Sequence, residues 1–177
     1  IKPEVFRLAN GIRVVYLHAS TYVAHLGVTV LAGSRFENEQ EVGLAHFLEH
    51  CIFKGTNKRK PYHILSRLDS VGGELNAFTA KEEICVYASF TKEHIKRASE
   101  LLADITFHST FPAAEITKEK LVINEEIDMY QDNPEEAIFE DFDDCAYPRH
   151  PLGRPILGTK ASISGFTQKG IKTFLGK

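Results

Sequence analysis

The sequence is poor in features that would point to several classes of protein. Its 177 residues include no tryptophan and three cysteines, and no two cysteines form a Cys-x-x-Cys pair. Without that pair a zinc knuckle or dithiol redox site is not indicated, and the odd number favours a reducing compartment. Because free cysteines commonly serve as small apolar residues, Cys51, Cys85 and Cys145 are all expected in the core.

Long apolar runs and an excess of basic charge are also missing. No run approaches the ~20 apolar residues that a helix needs to cross a bilayer, so no membrane span is expected. The chain has 21 Lys and Arg against 24 Asp and Glu, for a net charge of -3, and its basic residues are scattered among acids. Nucleic-acid-binding proteins usually present a basic patch, so no nucleic-acid partner is expected.

The length suits one domain, because 43% of the residues are hydrophobic and 25% are charged. We therefore interpret residues 1–177 as a single domain. Ile1 is not a methionine and the chain stops at Lys177 amid a plausible helix, so both ends look like cuts. The cysteine count and the lack of a visible leader favour the cytoplasm, with the mitochondrial matrix and the periplasm as alternatives.

The apolar patterns predict a mixture of strands and helices. A hairpin is expected over 5–17 around Asn10-Gly11, and a strand over 22–32 that is covered on both faces towards its end. Strands 74–79 and 84–90 form a second hairpin. Helices are predicted over the ranges 43–53, 61–71, 91–105 with Thr91 as cap, 114–131, 135–146 and 167–175. This order predicts an α+β fold, with a mixed, largely antiparallel sheet covered by helices.

The first predicted helix contains the clearest chemical motif, His46-Phe47-Leu48-Glu49-His50. Residues four apart on an α-helix lie on the same face, so the two imidazoles can bind one metal ion. Glu49 lies close to that face and can reach a metal-bound water without ligating the metal. The pattern His-x-x-Glu-His is the metalloprotease signature called inverzincin.

A catalytic zinc ion generally has three protein ligands and one open position. The predicted helix 114–131 offers five acids for the third place: Glu115, Glu119, Glu125, Glu126 and Asp128. Glu119 and Glu126 are seven residues apart and share a helix face, whereas Glu125 points about 100° away from Glu126. Spacing alone does not choose among these acids.

Taken together, these motifs resemble peptidase family M16, which includes pitrilysin, insulin-degrading enzyme and mitochondrial processing peptidase. Glu126 follows His50 by 76 residues, within Val-Ile-Asn-Glu-Glu. Other matching stretches, in the same order, are Gly-Leu-Ala at 43–45, Gly-Gly-Glu-Leu-Asn-Ala-Phe-Thr at 72–79, Tyr-Gln-Asp-Asn-Pro at 130–134 and Pro-Leu-Gly at 151–153. The resemblance is strongest to the processing-protease type of bacteria and organelles, and it implies the LuxS/MPP-like metallohydrolase fold.

The resemblance also implies the parts of a catalytic site. Zinc is the expected cofactor, with His46, His50 and Glu126 as its ligands and Glu49 as the general base. Glu119 matches a family position near the metal that supports coordination or catalysis.

For the substrate, the resemblance implies an extended peptide that adds to the edge of the sheet along Asn76, Ala77 and Phe78. Main-chain pairing at an edge binds peptides with little demand on their sequence. Family members are longer and have two related halves. The chain is therefore interpreted as an N-terminal zinc-binding domain whose partner is a homologous C-terminal half or a second subunit, with a dimer as one arrangement.

The predicted function is that of a zinc endopeptidase acting on peptides or presequence-like substrates, although this part alone is expected to bind zinc without necessarily cleaving peptides. A noncatalytic scaffold with the same fold is one alternative, since a fold does not fix a function. Such relatives typically have eroded metal motifs, whereas every ligand position is filled here. The other alternative is a zinc hydrolase with a non-peptide substrate, which would keep the same ligands.

Overall fold

The protein combines a three-stranded antiparallel sheet, a separate two-stranded hairpin and seven α-helices within the described part of the chain. A computed structural model describes residues 2–176, so both ends of the predicted domain 1–177 lie outside the described residues. The strands are β1 (Glu4–Arg7), β2 (Arg13–Tyr16), β3 (Val23–Val30), β4 (Glu74–Thr79) and β5 (Ile84–Thr91). The helices are α1 (Leu44–Ile52), α2 (Pro61–Asp69), α3 (Ile95–Phe107), α4 (Ala113–Gln131), α5 (Pro134–Ala146), α6 (Lys160–Gly165) and α7 (Gln168–Leu175).

The α+β class predicted from the sequence is confirmed. The three-stranded sheet has the order β3-β5-β4, and both of its strand pairs are antiparallel. β1 pairs with β2 through the predicted Asn10-Gly11 turn, in which Gly11 has a φ of 89°. Helices α1, α2 and α3 contact the three-stranded sheet. β4 therefore lies at an edge of the sheet, next to the helix that carries the histidine motif.

The core lies between the sheet and these helices. The central strand β5 directs every second side chain, from Ile84 to Phe90, into the buried core. The predicted burial of both faces of the third strand is wrong, because Val30 and Leu31 are 44% and 76% exposed. In β3, only Ala24, Leu26 and Val28 pack against the core, and the residues between them are exposed.

Two helix starts differ from the prediction. Thr91 does not cap a helix, because its pairing with Val23 holds it in β5; a 3-10 turn, Lys92–His94, follows, and α3 begins at Ile95. Helix α6 was not predicted. Thr159 and Ser162 form a capping box at its start, and serine stands where the usual sequence pattern has Glu or Gln.

The expectation of buried cysteines is confirmed for Cys51 alone. Cys85 is half-buried on β5, and Cys145 is exposed near the end of α5. Cys145 lies outside the core because none of the residues of α5 is buried. Within residues 2–176, no helix combines the length and the apolar character that a membrane span requires.

Candidate metal and catalytic site

Helix α1 places the two histidines one above the other at the edge of the core. Phe47, Leu48 and Cys51 are buried in the core, and their packing fixes the rotation of the helix. The rings of His46 and His50 are 4.7 Å apart between centroids, as expected for residues separated by about one helical turn. His46 is buried, with 7% of its surface exposed, whereas the side chain of His50 is 22% exposed.

Glu126 on α4 completes a group of three possible ligands. Its carboxylate oxygens lie 3.7 Å from Nε2 of His46 and 3.4 Å from Nε2 of His50. These distances exceed the ~2.7–3.2 Å of ordinary hydrogen bonds. They are close to the roughly 3.4 Å that separates ligand atoms around a tetrahedral zinc ion with bonds of about 2.0–2.1 Å. The three ligand atoms all lie within 4.8 Å of one another, so the donor set and its spacing fit zinc.

The other acids on α4 point elsewhere. Glu115 pairs with Lys118 at 2.7 Å, Asp128 pairs with Lys160 at 2.5 Å, and Glu125 is exposed. The packing of α4 against α1 thus turns one of the five candidate acids, Glu126, towards both imidazole Nε2 atoms.

Glu119 lies behind His50 rather than in the ligand group. Its carboxylate is 3.2 Å from Nδ1 of His50 and 2.7 Å from Nζ of Lys54, and only 4% of the residue is exposed. A carboxylate in this position accepts a hydrogen bond from the Nδ1–H group, which leaves the Nε2 lone pair free for a metal. By contrast, Nδ1 of His46 has no hydrogen-bond partner among the described residues.

Glu49 is outside the group of three ligands but near enough to interact electrostatically with His50 and Glu126, and its carboxylate contacts β4. The hydroxyl of Thr79 donates a 2.7 Å hydrogen bond to its carboxylate. Burial raises the pKa of Glu49 above its usual range, and the hydrogen bond from Thr79 partly opposes this. A raised carboxyl pKa suits a group that takes up and releases a proton near neutral pH. Thr79 was not predicted, although it ends the Gly-Gly-Glu-Leu-Asn-Ala-Phe-Thr stretch that the sequence singled out.

The charges at the site favour the metal-binding forms of His46 and Glu126, whereas they favour the protonated form of His50. Burial, reinforced by His50, lowers the pKa of His46 to about 4 and keeps this imidazole neutral. His50 lowers the pKa of Glu126, against the opposing effect of burial, so the carboxylate stays ionised. Burial alone would lower the pKa of His50, but the carboxylates of Glu126 and Glu119 outweigh it and raise the pKa. Neutral imidazole and ionised carboxylate are the states that ligate metals.

The three residues assigned to substrate binding lie on the edge strand beside this group. β4 pairs only with β5 among the described strands, and it contacts α1. Ala77 faces the core, whereas Asn76 and Phe78 are on the exposed face. The side-chain oxygen of Asn76 accepts the Ala77 N–H at 2.8 Å. The edge strand β4 therefore ends at Thr79, the residue that is hydrogen-bonded to Glu49.

Two histidines and one glutamate form one of the ligand sets by which proteins hold a catalytic zinc ion. The sequence matches the family model of the insulinases, peptidase family M16, over residues 13–160. The chain belongs to this family.

Similar proteins include two curated relatives and a solved structure. An uncharacterized zinc protease of Bacillus subtilis is 40% identical over 94% of this chain and 41% of its own length. The beta subunit of the mitochondrial-processing peptidase of Rattus norvegicus is 37% identical over 97% of this chain and 35% of its own length. The crystal structure of a protease from Helicobacter pylori superposes with a TM-score of 0.92, at 28% identity, over 98% of this chain and 42% of that one. The chain thus spans about two fifths of the length of these relatives.

Proposed function

We propose that the protein is the zinc-bearing part of an M16 endopeptidase, in which His46, His50 and Glu126 hold the metal and Glu49 is the general base. The observation that carries the proposal is the convergence of the three ligand atoms within 4.8 Å beside the Glu49 carboxylate. The family membership and the zinc protease relatives support it.

In the proposed hydrolysis, each residue of the site has a separate role. A zinc ion, when bound, polarises the scissile carbonyl and lowers the pKa of water towards ~7. Glu49 takes the proton of the attacking water and later passes it to the leaving amine, and its raised pKa suits both steps. Thr79 orients the Glu49 carboxylate. Glu119 fixes the tautomer of His50, and Lys54 balances the buried charge of Glu119.

The proposed substrate is a peptide that binds as an added strand along Asn76, Ala77 and Phe78. The exposed edge of β4 and its continuity with Thr79 support this mode. To pair with the Ala77 N–H, the peptide displaces the Asn76 side chain that now occupies it. The proposed substrates include presequence-like peptides, because one relative is a mitochondrial-processing peptidase subunit.

A partner completes the enzyme in this proposal. The relatives are more than twice as long as this chain, which supports a homologous second half or a partner subunit that closes over the edge strand. The cytoplasmic location, the dimer and the lack of a nucleic-acid partner stay predictions.

The test is Glu49→Gln in the full-length protein. Zinc content, measured by elemental analysis, should match that of the parent, because Glu49 is not among the ligands. Cleavage of a quenched fluorescent peptide library should fall by about 10²–10⁴-fold, the usual contribution of a general base. The matched control is Glu125→Gln, an exposed acid on α4, which should change neither quantity.

Other outcomes would contradict the proposal in different ways. Cleavage by Glu49→Gln at the parent rate would refute the general-base role. A parent protein that binds zinc and cleaves no peptide would favour a hydrolase with another substrate. A parent protein without metal would favour a noncatalytic scaffold.

A further inference from the structure

Helix α1 begins without a capping side chain of its own. Its N-cap residue is Gly43, in the left-handed region with a φ of 92°. A side chain is sterically excluded there, because a Cβ on Gly43 would lie 2.6 Å from the Cα of Gly158. The N–H groups of the first turn of a helix need acceptors from outside the helix. At this helix start, the usual serine or aspartate cap has no room.

The carboxylate of Glu37, six residues before Gly43, takes the place of the missing cap. Its two oxygens accept the N–H of Gly43 at 2.9 Å and the N–H of Ala45 at 2.7 Å. Only 3% of Glu37 is exposed. A buried carboxylate at a helix N-terminus is favoured by the backbone N–H groups and by the positive end of the helix dipole.

Contacts from distant parts of the chain hold Glu37 itself in place. Arg154 donates a 2.6 Å hydrogen bond from Nη1 to the Glu37 carbonyl, and Lys81 donates one to the Arg154 carbonyl at 2.8 Å. The turn between β4 and β5, the loop after α5 and the start of α1 are therefore linked in one chain of contacts. The edge strand and the histidine helix share this support.

The two histidines differ in how they are held, and this difference gives Glu37 a role beyond stability. His50 is oriented by Glu119, whereas Nδ1 of His46 has no hydrogen-bond partner among the described residues. The position of His46 then depends on the packing of its side chain and on the backbone of the first turn of α1. Ala45, which Glu37 holds, is the residue directly before His46.

We infer that Glu37 is a positioning residue for the metal site: by capping the first turn of α1, it sets the orientation of His46 towards Glu126. This inference rests on the proposed metal-binding function. Glu37 would thus orient His46 as Glu119 orients His50. Glu37 acts through the backbone, however, and its carboxylate bonds to Gly43 and Ala45 rather than to a histidine.

The experiment compares three variants of the full-length protein with the parent. Glu37→Ala removes both acceptors, Glu37→Gln keeps one carbonyl oxygen, and Glu39→Ala is the control, because Glu39 is an exposed acid on the same loop. The measurements are the affinity for zinc in competition with a chelator and the visible absorption spectrum of the cobalt-substituted protein. The spectrum reports ligand geometry in the folded protein, which a loss of stability alone does not change.

We expect Glu37→Ala to lower zinc affinity by about 10–100-fold, the range found for residues that orient metal ligands, and to alter the cobalt spectrum. Glu37→Gln should give a smaller change of the same kind, and Glu39→Ala none. Parent affinity and spectrum in folded Glu37→Gln and Glu37→Ala would overturn the inference. If Glu37→Ala does not fold, a parent-like Glu37→Gln overturns it by itself.

The result also separates this inference from the proposed function. A parent protein that binds neither zinc nor cobalt overturns both. A parent protein that binds zinc and cleaves peptides, with Glu37 variants that match it in affinity and spectrum, overturns only the role of Glu37.

Discussion

Helices α1 and α5 are both amphipathic, although α5 is much more acidic, and they have very different surroundings. Seven of the nine residues of α1 are buried, whereas none of the thirteen residues of α5 is buried. On α5, the large apolar residues Ile138, Phe139 and Phe142 are 61%, 69% and 68% exposed. α1 contacts both β4 and α4, whereas α5 contacts α4 and the 3-10 turn Pro151–Gly153. Apolar periodicity therefore predicts that both segments are helical, but not which of them is in the core.

The difference explains why the candidate site belongs to α1. A helix packed on several sides holds its polar residues in fixed orientations, and low solvent exposure strengthens their electrostatic interactions. On α1, this environment shifts the pKa of His46 and of Glu49. On α5, by contrast, the acids Glu135, Glu136, Asp141 and Asp144 are exposed to solvent.

The largest effect should come from the core face of α1. Phe47 is fully buried, and its ring is 5.3 Å from that of Phe166. Phe47→Ala should lower the free energy of unfolding by about 3–5 kcal/mol, because it removes buried contacts and leaves a cavity. Denaturant unfolding of the full-length protein measures this, and a loss below about 1 kcal/mol would show that α1 is not a core helix.

An intermediate effect is expected from Glu119, the residue of α4 that contacts His50 on α1. Glu119→Gln should weaken zinc binding by about 10–100-fold, because a neutral amide supports His50 less well. In the metal-free protein it should also lower the pKa of His50, which Glu126 and Glu119 raise against the effect of burial. Chelator competition measures the first change, and an NMR pH titration of the imidazole measures the second.

The sign of the stability change follows from the raised pKa of His50. In the metal-free protein, this histidine stabilises the folded state below its unfolded pKa of ~6.5, and the stabilisation is lost as the pH rises through the higher folded pKa. Glu119→Gln should therefore reduce stability more at low pH than at high pH. Equal losses at pH 5 and pH 9 would contradict the coupling between Glu119 and His50.

The smallest effect should come from α5. Phe139→Ala should change the free energy of unfolding by no more than about 0.5 kcal/mol, because its side chain is 69% exposed. The same denaturant unfolding experiment applies, with Phe47→Ala as the comparison. A loss of several kcal/mol in the full-length protein would show that a part of it outside residues 1–177 covers this face of α5.

Much of the local structure could be predicted from the sequence. The Asn10-Gly11 hairpin, the strands 74–79 and 84–90 and most helices follow from apolar spacing and turn residues, which depend on neighbours in the chain. Errors occurred where distant contacts prevail over local preference. Thr91 is an N-cap residue type that strand pairing keeps in β5, and Leu31 is an apolar residue that no element covers.

By itself, the sequence determined that His46, Glu49 and His50 lie on one helix, because helical spacing is a local property. The same spacing left five acids open as the third ligand, and the family resemblance pointed to Glu126. Only the tertiary structure turns Glu126 to both imidazoles, places Glu119 behind His50 and brings Thr79 to Glu49. It also brings the Glu37 carboxylate to the start of α1, because packing decides which distant side chains meet.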